Sequence, residues 1–231
     1  MNRDHAKRAA GESAASWVQK GMRVGLGTGT TMAYALEALG RRVREEGLSF
    51  SGVATSIATE RTARRLGLPL VTLAEAGRLD MAIDGADEID PQWRLIKGGG
   101  GAHTREKIVA AQADRFVVLV DESKVVRRLG VAFPVPVEVM PLAVHSVTEA
   151  LRGLEASPTL RTDEGGMPVY TDQDFHILDA FFEGGIENPE ALGRAIKNIP
   201  GVLDHGIFAG YTTDVLVGDE TGGVRTLAKG A

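Results

Sequence analysis

The sequence predicts an α/β fold, a doubly wound and mostly parallel sheet with a smaller α+β domain inserted into it. Two observations lead to this prediction. Short apolar runs alternate with helix-like segments over roughly the first 120 residues, as in sheets built from strand–helix–strand units. From Phe133 onward the order becomes strand, helix, strand, strand, helix, strand, which is typical of a ferredoxin-like α+β domain.

We expect the first part of the chain to begin with a helix, because apolar residues recur at helical spacing from Ala6 to Val18. Gly21 is expected to end this helix as a C-cap glycine. The elements expected next are a strand at 22–26, a helix through 32–39, a strand ending at 53–54, a helix at 58–66, strands at 68–73 and 79–83, a helix at 105–113 and a strand at 116–120. Ligands bind at the carboxyl ends of the strands in such sheets. The informative loops are therefore 27–31, 84–90, 97–101 and 121–124.

The second part supplies the inserted domain. Its expected elements are a strand at 135–140, a helix at 144–154, a short strand at 160, a strand at 175–182, a helix from Asn188 to Asn198 and a strand at 202–208. Strands near 214–217 and 224–227 are expected to return to the main sheet. We therefore divide the chain into a larger domain of residues 1–130 and 206–231 and an inserted domain of residues 131–205.

The composition excludes several classes of protein. The 231 residues include no cysteine, which rules out disulfides, thiolate nucleophiles, iron–sulfur clusters and thiolate-bound zinc. A formal net charge of −5 argues against a general nucleic-acid binder. Because no apolar run is long enough for a membrane span and the first residues lack an apolar signal-peptide core, we expect a soluble, cytoplasmic protein.

The loop Gly25-Leu26-Gly27-Thr28-Gly29-Thr30-Thr31 follows a strand and opens a helix. Glycines allow close approach to a ligand, and the N–H groups at a helix start favour an anion. The spacing is neither that of a dinucleotide-binding fingerprint nor that of a P-loop, so a single phosphate suits the loop best. A tight turn capped by threonine remains the alternative.

The segment Asp84-Gly85-Ala86-Asp87-Glu88-Ile89-Asp90 places four carboxylates at the end of a strand. They repel each other unless a cation or hydrogen-bond donors hold them. A magnesium or calcium site, recognition of sugar hydroxyls, and a solvated acidic turn all remain open, although the spacing does not match an EF-hand.

Lys97 is followed by four glycines and then by a helix that carries Glu106. Ordering so many glycines costs conformational entropy, which argues against a merely structural loop. Their N–H groups and the lysine ammonium suit a developing oxyanion. Glu106 is a candidate base, or a residue that compensates the helix dipole.

Lys124 follows the strand at 116–120, where it can reach a ligand phosphate or lie on the surface at a helix start. The five histidines show no metal-ligand spacing, and there is no motif for a redox cofactor. The loops together fit a proton transfer on a small sugar phosphate that needs neither metal nor organic cofactor.

These residues resemble one family, ribose-5-phosphate isomerase, type A. The resemblance covers essentially the whole chain and rests on Val24–Thr31, Val53–Ser56, Asp84–Glu88, Lys97–Gly100, Thr104–Lys107, Pro136–Val139, Ile199–Val202 and His205–Phe208. It implies a Rossmann-like main domain, a homodimer or homotetramer, and interconversion of D-ribose 5-phosphate and D-ribulose 5-phosphate in the non-oxidative pentose phosphate pathway.

The resemblance also implies roles for single residues. Glu106 matches the proton acceptor that works through an enediol(ate), and Lys97 with the following amides matches the oxyanion donors. Asp84 and Asp87 match carboxylates that engage hydroxyls and assist ring opening. The substrate-binding residues that it implies are Thr28, Gly29, Thr30, Thr31, Asp84, Gly85, Ala86, Asp87, Lys97, Gly98, Gly99, Gly100 and Lys124.

Two positions depart from the family pattern. Thr30 stands where serine is frequent, which keeps the hydroxyl. His103 stands where leucine is common. We expect it either to perturb a nearby pKa or to face solvent. Two other functions stay open, a sugar-phosphate-sensing regulatory domain of related fold and a magnesium-dependent phosphotransfer enzyme that uses Asp84 and Asp87.

Overall fold

The computed structural model describes residues 3–227. The helices are α1 (Arg3–Ser16), α2 (Thr30–Glu45), α3 (Ile57–Arg65), α4 (Leu73–Ala76), α5 (His103–Ala111), α6 (Val144–Gly153) and α7 (Pro189–Lys197). The strands are β1 (Arg23–Leu26), β2 (Ser51–Ala54), β3 (Met81–Gly85), β4 (Glu88–Ile89), β5 (Leu95–Ile96), β6 (Phe116–Asp121), β7 (Val135–Val139), β8 (Ala156–Leu160), β9 (His176–Phe182), β10 (Val202–His205), β11 (Ile207–Phe208), β12 (Asp214–Gly218) and β13 (Val224–Thr226). Within residues 3–227, none of the helices is both long and apolar enough to cross a membrane.

The main sheet has the strand order β13-β12-β6-β3-β1-β2. All neighbouring pairs in it are parallel except β12 with β13. The chain runs from β1 through α2 to β2 on one side and places β3 on the other side of β1, which is the reversal of a doubly wound sheet. The predicted fold class is confirmed, and so is the return of the tail to this sheet.

The core of the main sheet follows from the apolar face of each element. Small residues of α1, among them Ala10 and Ala14, pack with Leu36 and Leu39 of α2. Buried strand residues such as Ile83 complete this cluster. The alanine-rich face of α1 permits the close helix packing that a bulkier face would prevent.

The second sheet is antiparallel and has the order β10-β7-β9-β8. Its elements follow the predicted βαββαβ sequence, since α6 lies between β7 and β8 and α7 lies between β9 and β10. Alternate residues Val135, Val137 and Val139 of β7 join Leu151 and Ile196 of the helices in a second apolar core. Because successive side chains of a strand point to opposite faces of the sheet, these alternate residues share the face that packs against the helices.

A third, small sheet has the order β11-β5-β4 and was not predicted. The sequence pattern predicts one strand over 202–208, but the structure divides it at Gly206 into β10 and β11, which pair in different sheets. The strand predicted at 68–73 is also wrong. Leu70 makes only an isolated bridge with Gly52, because Thr72 forms a capping box with Glu75 and starts α4.

The chain divides into two compact units. The first contains the described residues up to Ala86, Arg105–Val125 and the described residues from Tyr211 onward, and the second contains Asp87–Thr104 and Val126–Gly210. Residues 87–104, which the sequence analysis assigned to the larger domain, group with the second unit, because β5 pairs with β11 and β4 pairs with β5.

Candidate active site

The loop after β1 is in close backbone contact with the end of β3. Gly27 donates its N–H to the Ile83 carbonyl at 2.9 Å, and a Cβ at Gly27 would lie 2.3 Å from Cγ of Asp84. Gly29 has a φ of 114° and is the N-cap residue of α2, which therefore has no capping side chain. A helix start of this kind favours an anionic group.

Four buried or half-buried hydroxyls meet beside this loop. Oγ1 of Thr28 lies 2.9 Å from Thr55 Oγ1, 3.0 Å from Thr59 Oγ1 and 2.8 Å from Ser56 Oγ, to which it donates its proton. Thr59 in turn donates to the Gly27 carbonyl at 2.8 Å. The Thr28 hydroxyl is thus engaged within the protein, and the sequence analysis did not identify Thr59 as part of the site.

Asp84 lies where the strand order of the main sheet reverses. Its side chain is buried, and Oδ1 accepts the N–H groups of Thr28 at 3.1 Å and Gly85 at 2.7 Å. Because β1 and β3 are parallel neighbours, their carboxyl ends meet at one edge of the sheet. That crevice is where open α/β sheets bind ligands. Gly85 and Ala86, the two residues after Asp84, are half-buried.

Three further predicted residues lie in the same unit. Thr30 is exposed and Thr31 half-buried at the start of α2. Lys124 ends a single 3₁₀ turn after β6, and Asp121 caps that turn by accepting the Ser123 N–H at 2.9 Å. Since β6 pairs with β3, Lys124 follows a strand that ends at the same edge of the sheet.

Glu106 is buried in the first turn of α5, with 5% of its surface exposed. Helix α5 lies against β1, because Gly25 leaves room for the Val109 side chain; a Cβ there would lie 2.4 Å from Val109 Cγ1. A buried carboxylate is costly to ionise unless charges or hydrogen bonds favour the ionised form. This carboxylate is the candidate base that the sequence predicts.

Lys97 is buried in the second unit, with 3% of its surface exposed. Its Nζ lies 5.6 Å from the centre of the Phe208 ring, a cation–π contact. Its backbone N–H donates to the Gly206 carbonyl at 2.9 Å. A buried ammonium of this kind supplies a positive charge that water screens little.

The glycine run after Lys97 forms a β-turn, in which the Gly98 carbonyl accepts the Gly101 N–H at 3.0 Å. Gly98 and Gly101 have φ values of 111° and 74°, which L side chains rarely adopt. Gly99 and Gly100 are exposed. The Gly99 N–H donates to Asp87 Oδ2 at 2.8 Å, so the predicted Asp87 and the glycine run lie together in this unit.

The acidic segment does not act as one cluster. Glu88 is buried and accepts three backbone N–H groups, those of Gly130, Ala132 and Phe133. Asp90 is buried and paired with Arg94 through a hydrogen bond of 2.7 Å. These two carboxylates hold loops of the fold, which leaves Asp84 and Asp87 as the acidic candidates. Nowhere in residues 3–227 do three His, Asp or Glu side chains converge as metal ligands would.

His103 is fully buried, so the expectation that it faces solvent is wrong. Its Nε2 lies 4.0 Å from Oε2 of Glu138, and the same carboxylate oxygen accepts the Thr104 hydroxyl. Burial, more than any neighbouring group, raises the pKa of Glu138. This arrangement anchors the first residues of α5 to β7, a contact that the sequence did not indicate.

The structure therefore places the predicted residues in two groups. The first unit contains Thr28, Gly29, Thr30, Thr31, Asp84, Gly85, Ala86, Glu106 and Lys124, and the second contains Asp87, Lys97, Gly98, Gly99 and Gly100. The first group combines an anion-favouring helix start with two buried carboxylates, those of Asp84 and Glu106. The second combines a buried ammonium with a glycine turn.

Comparisons with known proteins agree on one family. The family model described as ribose 5-phosphate isomerase A (phosphoriboisomerase A) matches residues 51–222. The ribose-5-phosphate isomerase A of Thermosynechococcus vestitus is 50% identical over 215 residues, covering 92% of this chain and 91% of that protein. The protein of the same name from Methanosarcina acetivorans is 49% identical, covering 96% of this chain and 94% of that protein.

Solved structures give the same result. The structure of ribose 5-phosphate isomerase A from Methanocaldococcus jannaschii has a TM-score of 0.93 and 45% identity, covering 99% of this chain and all of that one. A D-ribose-5-phosphate isomerase in complex with phospho-erythronic acid has a TM-score of 0.94 and 38% identity, covering 98% of this chain and 99% of that one.

Proposed function

The chain belongs to the ribose 5-phosphate isomerase A family, and we propose that it interconverts D-ribose 5-phosphate and D-ribulose 5-phosphate by a proton transfer at Glu106. The observation that supports this role most directly is the burial of Glu106 in the first turn of a helix that packs against β1. The reaction needs one base that can take a proton from carbon and return it to the neighbouring carbon.

The proposed steps keep atoms and charge balanced. The Glu106 carboxylate takes the proton from C2 of the open-chain aldose, and the electrons of the C–H bond form a C1–C2 double bond while the C1 oxygen becomes negative. Glu106 then returns the proton to C1 as the O2 proton passes to O1. The C2 carbonyl of the ketose forms, and the base is regenerated.

Lys97 and the amides of Gly98–Gly100 are proposed to stabilise the negative oxygen of the enediolate. A buried ammonium is a strong partner for a charge that develops during the reaction, because few water molecules screen it. Asp84 and Asp87 are proposed to accept sugar hydroxyls and to assist ring opening. The backbone bonds to Asp84 Oδ1 and Asp87 Oδ2 support this, because they fix both carboxylates.

The phosphate is proposed to lie at the start of α2, held by the Gly29–Thr31 segment with Lys124. The absence of a capping side chain on α2 and the exposure of Gly29 and Thr30 support this placement. Thr28 is proposed to contribute by shaping the loop, since its hydroxyl and its N–H are both engaged within the protein.

Ketose formation from ribose 5-phosphate tests the proposal directly. We expect turnover to be unchanged by a chelator, and we expect Glu106→Gln to lower kcat by about 10²- to 10⁴-fold while the protein stays folded. Glu149→Gln, which changes an exposed carboxylate on α6, is the matched control. Full activity in Glu106→Gln removes that residue from the reaction. Loss of turnover on chelation favours a metal-dependent enzyme, and binding of sugar phosphate without turnover favours a regulatory domain.

We also propose that the protein forms a homodimer or homotetramer. Several large apolar side chains support an interface, for example Leu142 with 91% of its surface exposed, Met167 with 66% and Tyr170 with 60%. Light scattering coupled to gel filtration measures the mass in solution. A mass of one chain, 24.5 kDa, contradicts this proposal.

The cytoplasm is the proposed location of the protein. A phosphorylated sugar carries charge and does not diffuse through a bilayer, so an enzyme for it belongs where the sugar phosphate is made. Cell fractionation with an activity assay tests this location, and activity found outside the cytoplasmic fraction contradicts it.

A further inference from the structure

Arg161 joins β9 to the glycine turn within the second unit. It directly follows β8, and its Nε and Nη2 donate to the two carboxylate oxygens of Asp179 at 2.8 and 2.5 Å. Its Nη1 donates to the carbonyls of Gly98 at 2.9 Å and Gly99 at 3.2 Å. Only 17% of the Arg161 side chain and 22% of the Asp179 side chain are exposed.

The contacts of Nη1 fix the orientation of two successive peptide planes. In a planar trans peptide the C=O and the following N–H point in opposite directions. With the Gly98 and Gly99 carbonyls directed at Arg161, the N–H groups of Gly99 and Gly100 must be directed away from it. The bond from the Gly99 N–H to Asp87 Oδ2 agrees with this direction.

A run of glycines cannot keep such an orientation by itself. Glycine populates positive and negative φ about equally and loses the most conformational freedom on ordering. The turn bond from the Gly101 N–H holds the Gly98 carbonyl, but it leaves the central peptide plane, between Gly99 and Gly100, free to flip unless another group holds it. In the part of the chain that the structure describes, Arg161 is the side chain that donates to the Gly99 carbonyl of this central plane, and it donates to the Gly98 carbonyl as well.

The guanidinium is suited to this task for a geometric reason. Arginine presents five N–H donors in a rigid plane, and Arg161 directs one edge at the carboxylate of Asp179 and the remaining nitrogen at the two carbonyls. A lysine ammonium cannot match four acceptors in one plane. A carbonyl that accepts from a cation also makes the N–H of its own peptide a better donor, because hydrogen bonds in a chain polarise one another.

We propose that Arg161, held by Asp179, is a positioning residue for the reaction, which orients the amides of Gly99 and Gly100 so that they hold Asp87 and the negative oxygen of the enediolate. Arg161 does not contact the substrate in this proposal. The inference rests on the proposed function, because it assigns a purpose to the amides that the isomerisation uses.

The test compares Arg161→Met and Arg161→Lys with the unaltered protein. We expect kcat to fall by about 10- to 100-fold in both variants, with KM changed by less than about threefold, since misplaced oxyanion donors weaken the transition state more than the ground state. Arg115→Met is the matched control, because Arg115 makes the same two-pronged pair with Asp214, at 2.8 and 3.1 Å, and contacts no glycine turn. Its kcat should stay within about twofold of the unaltered protein.

A pair of ligands separates positioning from a merely structural role. Phospho-erythronic acid carries a carboxylate where the enediolate carries its negative oxygens, whereas erythritol 4-phosphate lacks that charge. Calorimetry should show about tenfold weaker binding of phospho-erythronic acid to the Arg161 variants, with erythritol 4-phosphate bound as before. If Arg161→Met does not fold, the double variant Arg161→Met/Asp179→Asn, which leaves no unpaired carboxylate, replaces it.

The outcomes are distinct. Equal loss of both ligands, or unaltered kcat and binding in Arg161→Met, overturns the inference. Recovery of full activity in Arg161→Lys overturns the requirement for the planar guanidinium. If Glu106→Gln keeps its activity, the proposed reaction fails whatever Arg161 does. If Glu106→Gln is inactive while the Arg161 variants behave as the unaltered protein, only this inference fails.

Discussion

The backbone of Gly206 lies directly against the backbone of Lys97. The Lys97 N–H donates to the Gly206 carbonyl at 2.9 Å, and the Gly206 N–H donates to the Pro136 carbonyl at 2.7 Å. A Cβ at Gly206 would lie 2.1 Å from the Lys97 carbonyl oxygen. At Gly206 the segment 202–208 stops pairing with β7 and begins to pair with β5. The close approach also fixes the backbone from which the Lys97 side chain extends.

Gly206→Ala is therefore expected to displace Lys97 and to destabilise the fold. Crowding a packed backbone costs about 1–3 kcal/mol, and we expect a loss of unfolding free energy of that size together with at least about tenfold lower kcat, since one oxyanion donor alone contributes that much. Urea denaturation and steady-state kinetics measure the two effects. Gly153→Ala, at the end of α6 with no atom within 4 Å of its Cβ, is the control and should lose neither. Unaltered kcat in Gly206→Ala would separate Lys97 from this contact.

The same glycine shows where sequence patterns stop being informative. The run at 202–208 is predicted as one strand because apolar residues are frequent in it, and β propensity does not show that its two halves pair in different sheets. Pairing partners are set by residues far along the chain, Pro136 for one half and Ile96 for the other. By contrast, the βαββαβ order and the parallel sheet were predictable, since local periodicity and turn residues determine both.

The acidic segment shows the corresponding limit for the site. Its composition predicts that a cation or hydrogen-bond donors must hold the carboxylates, and the structure shows such donors. The donors that hold Glu88 come from residues more than forty positions away, so no spacing rule identifies it as structural. Asp84 was predictable as a candidate because it ends a strand of the parallel sheet. Arg161 was not, because its role depends entirely on contacts with Gly98 and Gly99.

Thr59 is expected to affect substrate binding through the loop that it holds. Thr59→Val removes the donor to the Gly27 carbonyl and leaves that buried acceptor unpaired, which costs about 1–3 kcal/mol. Because Thr28 and the loop 27–31 then lose a fixed position, KM for ribose 5-phosphate should rise about tenfold with a smaller change in kcat. Steady-state kinetics and urea denaturation check both values.

Two variants control the Thr59 experiment. Thr59→Ser keeps the hydroxyl and should behave like the unaltered protein within about twofold, because the donor to Gly27 remains. Thr62→Val changes a half-buried threonine on the same helix that lies outside the hydroxyl cluster. A KM for Thr59→Val equal to that of Thr62→Val would show that the cluster does not shape the binding loop.

Glu138 is expected to make the stability of the protein depend on pH. Burial, followed by the charges of Asp204 and Asp172, raises the pKa of this carboxyl, while hydrogen bonds from Thr104 and Thr171 act in the opposite direction. At low pH both folded and unfolded chains hold the proton. As the pH rises above about 4.3, the ordinary pKa of Glu, the unfolded chain releases its proton first.

Between that ordinary value and the raised pKa, the folded state binds more protons than the unfolded state, so the unfolding free energy falls as pH rises and becomes constant above the raised pKa. Glu138→Gln removes this slope, and its stability relative to the unaltered protein should therefore improve as the pH rises from about 4.3 to the raised pKa, by about 1.4 kcal/mol for each full pH unit over which the two states differ by one proton. Urea denaturation across this range measures the difference, and Glu149→Gln provides the control for an exposed carboxyl. His103 is the ionisable side chain whose Nε2 lies 4.0 Å from Glu138, so the same comparison in a His103→Leu background isolates Glu138. A difference between Glu138→Gln and its parent that does not change with pH would show that Glu138 and the unfolded chain titrate together.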